Sequence, residues 1–458
     1  MHSRAPDRIA RARQPMAQVI QRGAWVAAWG VALAGLATQA QAQNLQTLYE
    51  AALAYDATYL SARAQHQADR AKAEQAYAGV RPNVGLNAGA NWSNVNADGS
   101  ALDRTRNAQS AAIAASQPLY RPANRIALEQ AQKSLQASEA QLQNAEQALI
   151  VRLAEAYFNV LSAEDNLTFV KAQKAAVAEQ LAAAKRNFEV GTSTITDSRE
   201  AQAQFDLVIA REIAAENDLR VKKLALDQLV GRSGTSPWRL GAGQQLPEVQ
   251  PADLNAWVTR AETEHPLVRQ ANAGLEIAQL ETRKAEAGQG PTLDATAQYQ
   301  IARGAGSAPP FPYARSNTAT VGVQFNLPLY TGGAVQNRIA ETLALQDKAR
   351  TDVEAAKRGT AQATRAAYFG VVSGMGQVKA LEAAEASSQS ALEANQLGYQ
   401  VGVRINIDVL NAQSQLFQTK ANLAKARYDV LVGNLRLKQA SGALNPGDLK
   451  PIDGLLVP

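Results

Sequence analysis

The chain has 458 residues, a formal net charge of +5, three His and no Cys. Without Cys it can form no disulfide, thiolate metal site, catalytic Cys or N-terminal lipid attachment, and His2, His66 and His265 stand apart from one another. Phosphate-loop, dinucleotide and Gly-x-Ser-x-Gly motifs are absent, so the chain reads as a non-enzyme with no expected catalytic, cofactor or metal site. Residues 1–42 read as a signal peptide. Arg22 precedes an apolar run from Ala24 to Ala37, and Ala40-Gln41-Ala42 has the small-x-small form of a cleavage site. Met16 is a second candidate start. The leader carries five Arg and one Asp, so its removal lowers the net charge from +5 to +1, which argues against a nucleic-acid partner.

Residues 44–79 have helical periodicity, with Leu45, Leu48, Ala52 and Tyr55 on one stripe. After Arg81-Pro82 the period becomes two. Val84, Leu86, Ala88, Ala90 and Trp92 alternate with Asn and Gly, a polar loop covers 93–107, and a second alternating stretch runs from Gln109 to Pro118-Leu119-Tyr120. A long helix is expected from Pro122 to Glu189, with Leu128, Leu135, Leu142 and Leu149 on a heptad grid. Another returns from Asp197 to about Val230.

The pattern then repeats. A helix is expected over 252–287, alternating stretches over 293–301 and 319–327 flank a loop at 303–317, and Pro328-Leu329-Tyr330 repeats the earlier tripeptide. A second long tract leads to Tyr399 and returns with Leu416, Leu423, Val430 and Leu437 on the seven-residue grid. Adding 211 carries Val190-Gly191 onto Val401-Gly402, Asp197 onto Asp408, and Gly231 onto Gly442. Each turn is therefore the tip of a helical hairpin, with Gly191 or Gly402 ending one helix and an Asp opening the next. The expected division is a leader (1–42), a first repeat (43–231), a belt segment (232–254), a second repeat (255–442) and a C-terminal belt segment (443–458).

After the leader no apolar run reaches about 20 residues, so a membrane could be entered only by β-strands. The four alternating stretches have the length and facing of outer-membrane strands, but alternation alone fits a soluble sandwich hairpin equally; the leader and the helices beside the strands favour the barrel. Four strands cannot close, and open edges cannot face lipid, so the expected fold is long antiparallel helical hairpins plus a fraction of a symmetric barrel. Three copies would give 12 strands and two would give 8.

At this point the sequence resembles the TolC family of outer-membrane channel proteins, over essentially all of the chain beyond the leader. The likeness rests on the duplication and the two Pro-Leu-Tyr ends. It also rests on the turns Phe188-Glu189-Val190-Gly191…Asp197 and Tyr399-Gln400-Val401-Gly402…Asp408-Val409-Leu410, and on Ala421–Tyr428. The resemblance implies a homotrimeric barrel in outer-membrane lipid of a Gram-negative cell, continued by a helical tunnel in the periplasm. It implies docking to a periplasmic adaptor (membrane fusion) protein and an inner-membrane pump or ABC transporter, as a passive duct for efflux or type I secretion. By the same resemblance Asp197, Tyr399 and Arg404 link the tips as a periplasmic gate. Asp408 and Asn411 fall where the family places two acids at the narrowest point, so one acid ring is replaced here by an amide. The residues themselves allow a plainer reading: Asp197 with Glu200 resembles an N-cap box, and Asp408 could also be a cap. Glu164 with Asp165 reads as helix-face charge rather than as an acid/base pair. A periplasmic coiled-coil adaptor or structural protein of an export complex is the alternative to the duct, but it would need no strand pairs.

Overall fold

Four strands and two pairs of long helices carry the architecture of the computed structural model, which describes residues 43–95, 104–241, 243–304 and 314–458. The expected leader and the tips of the two strand-joining loops lie outside the described residues. In chain order the elements are α1 (Leu45–Tyr55), α2 (Ala57–Ala76), β1 (Asn83–Val95), β2 (Arg104–Tyr120), α3 (Pro122–Glu189), α4 (Ile195–Val230) and β3 (Arg239–Leu240). There follow α5 (Leu254–Glu264), α6 (Pro266–Glu286), β4 (Thr292–Gly304), β5 (Ala314–Asn326), α7 (Ala334–Gln400), α8 (Asn406–Ala440), α9 (Lys450–Asp453) and β6 (Leu456–Val457). The fold is mainly helical and duplicated, as the periodicity indicated.

Both opening helices differ from the expected single spans. The first is broken at Asp56, whose carboxylate accepts from Tyr59 N and caps α2. The second is broken at His265-Pro266: Pro cannot continue α5 but suits the first position of α6, and His265 Nδ1 accepts from Leu267 N. The strands run further into the expected loops than the alternation did. The second Pro-Leu-Tyr lies beyond β5, whereas the first ends β2.

The strands form one antiparallel sheet in the order β1-β2-β4-β5, and the pairing of β2 with β4 joins the two repeats. Its register sorts the side chains. Val84, Ala115, Ala297 and Val321 share a row, and so do Leu86, Ile113, Tyr299 and Ala319. On the opposite face Asn83, Ser116, Thr296 and Gly322 share a row, as do Asn87, Ala112, Gln300 and Thr318. One face is thus apolar across all four strands and yet open, with Leu86 72% and Val321 86% exposed. Where the sheet meets the helices, Arg121 donates from Nε and Nη2 to Asp294 at 2.8 and 2.5 Å, a bidentate pair across the repeats.

The long helix α3, about 100 Å at 1.5 Å per residue, packs against α2, α4, α6 and α8; α7 packs against α5, α6 and α8. The largest core lies part-way along these helices. Leu45 and Leu48 of α1, Leu149, Tyr157 and Phe158 of α3, Leu226 of α4, and Leu431 and Leu435 of α8 meet Leu449 and Leu456 there. Phe158 stacks on Tyr428, whose hydroxyl donates to Asp165 at 2.7 Å. Burial pushes the Asp165 carboxyl up, against the Tyr428 hydrogen bond that pulls it down. The segments after Gly231 and Gly442 meet each other, because β3 pairs with β6. Asp453 accepts from Leu45 N and Gln46 N at 2.8 and 3.0 Å, so the end of the chain caps its first helix. Nearer the sheet Glu281 accepts from Gln130, Lys284 and Arg338. Burial alone would raise its carboxyl, but these donors bring it down to about 2.

The left-handed glycines that follow the returning helices are not equivalent. Gly442 has φ +74°, and a Cβ there would lie 2.6 Å from His265 Cα, a backbone atom that cannot swing aside. Gly234 has φ +76° with nothing within 4 Å. Both replacements by Ala should cost about 1–2 kcal/mol from left-handed backbone, and Gly442→Ala should cost about 1–3 kcal/mol more from overpacking. Thermal unfolding of the two variants side by side checks this; equal midpoints would contradict it.

Candidate functional site at the hairpin tips

The two tips are built by the same local chemistry. α3 ends with Gly191 at φ +78°, Thr192 N bonding to Asn187 O at 2.8 Å and Gly191 N to Phe188 O at 3.0 Å. α7 ends with Gly402 at φ +81°, Val403 N bonding to Gly398 O at 2.9 Å and Gly402 N to Tyr399 O at 3.1 Å. Both are Schellman turns, in which the left-handed residue bears no Cβ and so escapes the steric cost.

The restart of the chain is where the copies part. α4 begins at Ile195 with Thr194 as its cap, so Asp197 is the third helical residue and not the cap that its spacing suggested. Thr194 Oγ1 accepts from Asp197 N at 3.3 Å, and Asp197 Oδ2 accepts from Thr194 N, Thr194 Oγ1 and Ser193 Oγ at 3.1, 2.9 and 2.7 Å. The expected capping box therefore exists one turn earlier than Asp197 with Glu200 would place it. Burial alone would raise this carboxyl, but the Ser193 and Thr194 donors lower it on balance.

In the second copy the cap position is Ile405, which has no side-chain acceptor, and Asp408 is again the third helical residue. Asp408 N bonds to Ile405 O at 3.1 Å, so the carboxylate closes no box. It faces Arg404 Nη1 at 3.7 Å and stays one-third exposed. Asn411, one turn on, is exposed. Asp197 is thus consumed by its own turn, whereas Asp408 and Asn411 lie on an accessible helix face.

Within one chain, the Asp197 carboxylate makes no described contact with Tyr399 or Arg404. The Tyr399 hydroxyl instead accepts from Asn187 Nδ2 at 3.3 Å, and the Arg404 stem lies over Gly398. The strongest tie between the tips is Asn406. Fully buried, it donates from Nδ2 to Asp197 O at 3.3 Å and accepts from Gln180 Nε2. Val177, Leu181, Ala201 and Leu410 pack together in the apolar cluster of these hairpins. Asn187 and Asn406 escaped the reading of the sequence. A signal was there, since subtracting 211 puts Ile195 opposite Asn406 and Ser193 opposite Arg404. The side chains that join the copies are those that break the repeat.

Comparison with known proteins agrees with this geometry. The family model described as outer membrane efflux protein matches residues 29–232 and 257–443. Outer membrane protein TolC of Vibrio cholerae is 33% identical over 423 residues, 92% of this chain and 96% of that one. Alkaline protease secretion protein AprF of Pseudomonas aeruginosa is 29% identical over 434 residues, 92% of this chain and 89% of its own. Among solved structures, the CmeC outer membrane channel of Campylobacter jejuni matches with a TM-score of 0.76, covering 91% of this chain and 90% of that one at 16% identity, a likeness of fold.

Proposed function

This chain belongs to the outer membrane efflux protein family and is a non-enzymatic outer-membrane channel of the TolC type, and from that premise we propose the following assembly and mechanism. Three copies close a 12-stranded barrel and a helical tunnel that together form a passive duct, gated at the periplasmic tips. The carrying observation is the register of the sheet. It keeps the apolar side chains on one face across all four strands while β1 and β5 each leave an edge unpaired. Unpaired backbone groups cannot face lipid, so these edges pair with neighbouring copies. The face bearing Asn83, Asn87, Thr296 and Gln300 then lines the lumen.

At the other end Asp408 and Asn411 ring the narrowest part of the tunnel, with Tyr399, Arg404 and Asp197 around them. Among copies, Asp197 of one tip comes within reach of a neighbour's Arg404. A periplasmic adaptor seats on the lower helices, where a groove of about 360 Å³ between the hairpins is lined by Gln173, Arg211, Asp218 and Phe417. The adaptor in turn joins an inner-membrane pump or ABC transporter. The name of the AprF relative supports protein secretion as one cargo class, and the family description supports efflux.

Cross-linking of the purified protein should saturate at trimer, and an isolated monomer should fail to insert into planar bilayers. Saturation at dimer, or a folded monomer in detergent, would overturn the assembly.

A further inference from the structure

We propose that Arg303 and Arg315 form a site for the phosphate of an outer-leaflet lipid headgroup, an inference that rests on the barrel reading above. The two residues are Cα partners on β4 and β5, and both side chains are exposed. Their row across the sheet is Ala90, Gln109, Arg303, Arg315, with no acid in it. The neighbouring row is Ala88, Ala111, Ile301, Asn317. Neither guanidinium has an ion pair or side-chain hydrogen bond among the described residues. The one carboxylate in the described strands, Asp294, sits at the other end of β4 and is held by Arg121.

Like charges directly opposite on adjacent strands destabilise a sheet, so this pair calls for a counter-ion. Its height says which. Outward positions on β4 read Leu293, Ala295, Ala297, Tyr299 and Ile301 before Arg303, and on β5 Phe325, Val323, Val321, Ala319 and Asn317 before Arg315. Ten residues span roughly 33 Å along a strand, or about 25 Å along the membrane normal at barrel tilt, the height of the outward apolar band. The guanidiniums therefore emerge where the band ends, on the side away from the helices. Headgroup phosphates lie at that level, and two guanidinium forks suit their oxygens. Gln109 beside them adds an amide donor. A lipid so placed would run its acyl chains down over Ile301 and Tyr299. That fit favours a phosphorylated lipid over a free anion.

The test reconstitutes the channel in nanodiscs of neutral lipid doped with a phosphorylated glycolipid or with its dephosphorylated form, and counts retained lipid by native mass spectrometry. Wild type should prefer the phosphorylated form about thirty-fold, the effect of two basic side chains at an anionic surface. Arg303→Gln with Arg315→Gln should reduce that preference to within about three-fold, whereas Arg303→Lys with Arg315→Lys should keep part of it. No preference in wild type, or a preference that survives the Gln pair, would overturn the site. Displacement of the glycolipid by millimolar inorganic phosphate would overturn the lipid as occupant in favour of a free anion. A gel assay of heat-modifiable trimer is run first on each protein. Failure of wild type there overturns the barrel reading and the site with it. Should only the Gln pair fail, Arg315→Gln alone decides: it should lose at least half of the preference in free-energy terms, about five-fold, and no change overturns the site.

Discussion

Asp408→Asn should raise the concentration of multivalent cation needed for half-block of the channel at least about ten-fold, a change of about 1.4 kcal/mol in binding. In the proposed trimer, threefold symmetry would turn one carboxylate per chain into a ring of three, and convergent carboxylates at a constriction select cations and hold multivalent ones. The prediction depends on how the second tip is built. Asp197 accepts three hydrogen bonds within its own turn, so its carboxylate is held in place there. Asp408 closes no capping box, and its described charge partner is Arg404 at 3.7 Å on an exposed surface, where ion pairs are weak. Asn411→Asp adds a second ring and should strengthen block. Titration of single-channel current in planar bilayers gives both numbers. If Asp408→Asn leaves block unchanged, the residue is only a first-turn acid complementing its helix dipole.

Tyr399→Phe combined with Asn406→Ala should raise single-channel conductance several-fold, through release of the proposed gate. Asn406 is buried between the two hairpins. Its loss leaves the Gln180 amide and the Asp197 carbonyl without their described partners, at a cost of about 1–3 kcal/mol for buried polar groups. The phenyl ring of the other substitution fills the same space as tyrosine but no longer accepts from Asn187. Adding Arg404→Ser should open the tips further and also make cation block stronger, because it removes the positive neighbour of Asp408. That pairing of effects separates a gate residue from a general destabilisation, which would scatter the conductance without sharpening block. Unaltered conductance in the Tyr399→Phe, Asn406→Ala channel would sink the idea that these bonds hold the gate.

What the sequence determined by itself is everything that depends on local periodicity and on residues that punctuate it. Alternation at period two placed all four strands, because one face must meet lipid and the other water. Pro122 and the Val190-Gly191 turn bounded α3 at Pro122–Glu189, because a first-turn Pro and a left-handed Gly act within one turn of helix. The offset of 211 made the second copy legible from the first. Pro266 was equally legible, and the single helix expected over 252–287 overlooked it. Other choices belong to the tertiary structure. Thr194 rather than Asp197 caps α4, since several polar residues in a row could each have served and the path of the chain selects one. The join of β2 to β4, the capping of Leu45 by Asp453 and the bond from Asn406 to Asp197 connect residues 173 to 196, 408 and 209 positions apart. No periodicity reports on such distances. They follow from burial, which leaves each polar group only the partner that the packed helices bring to it.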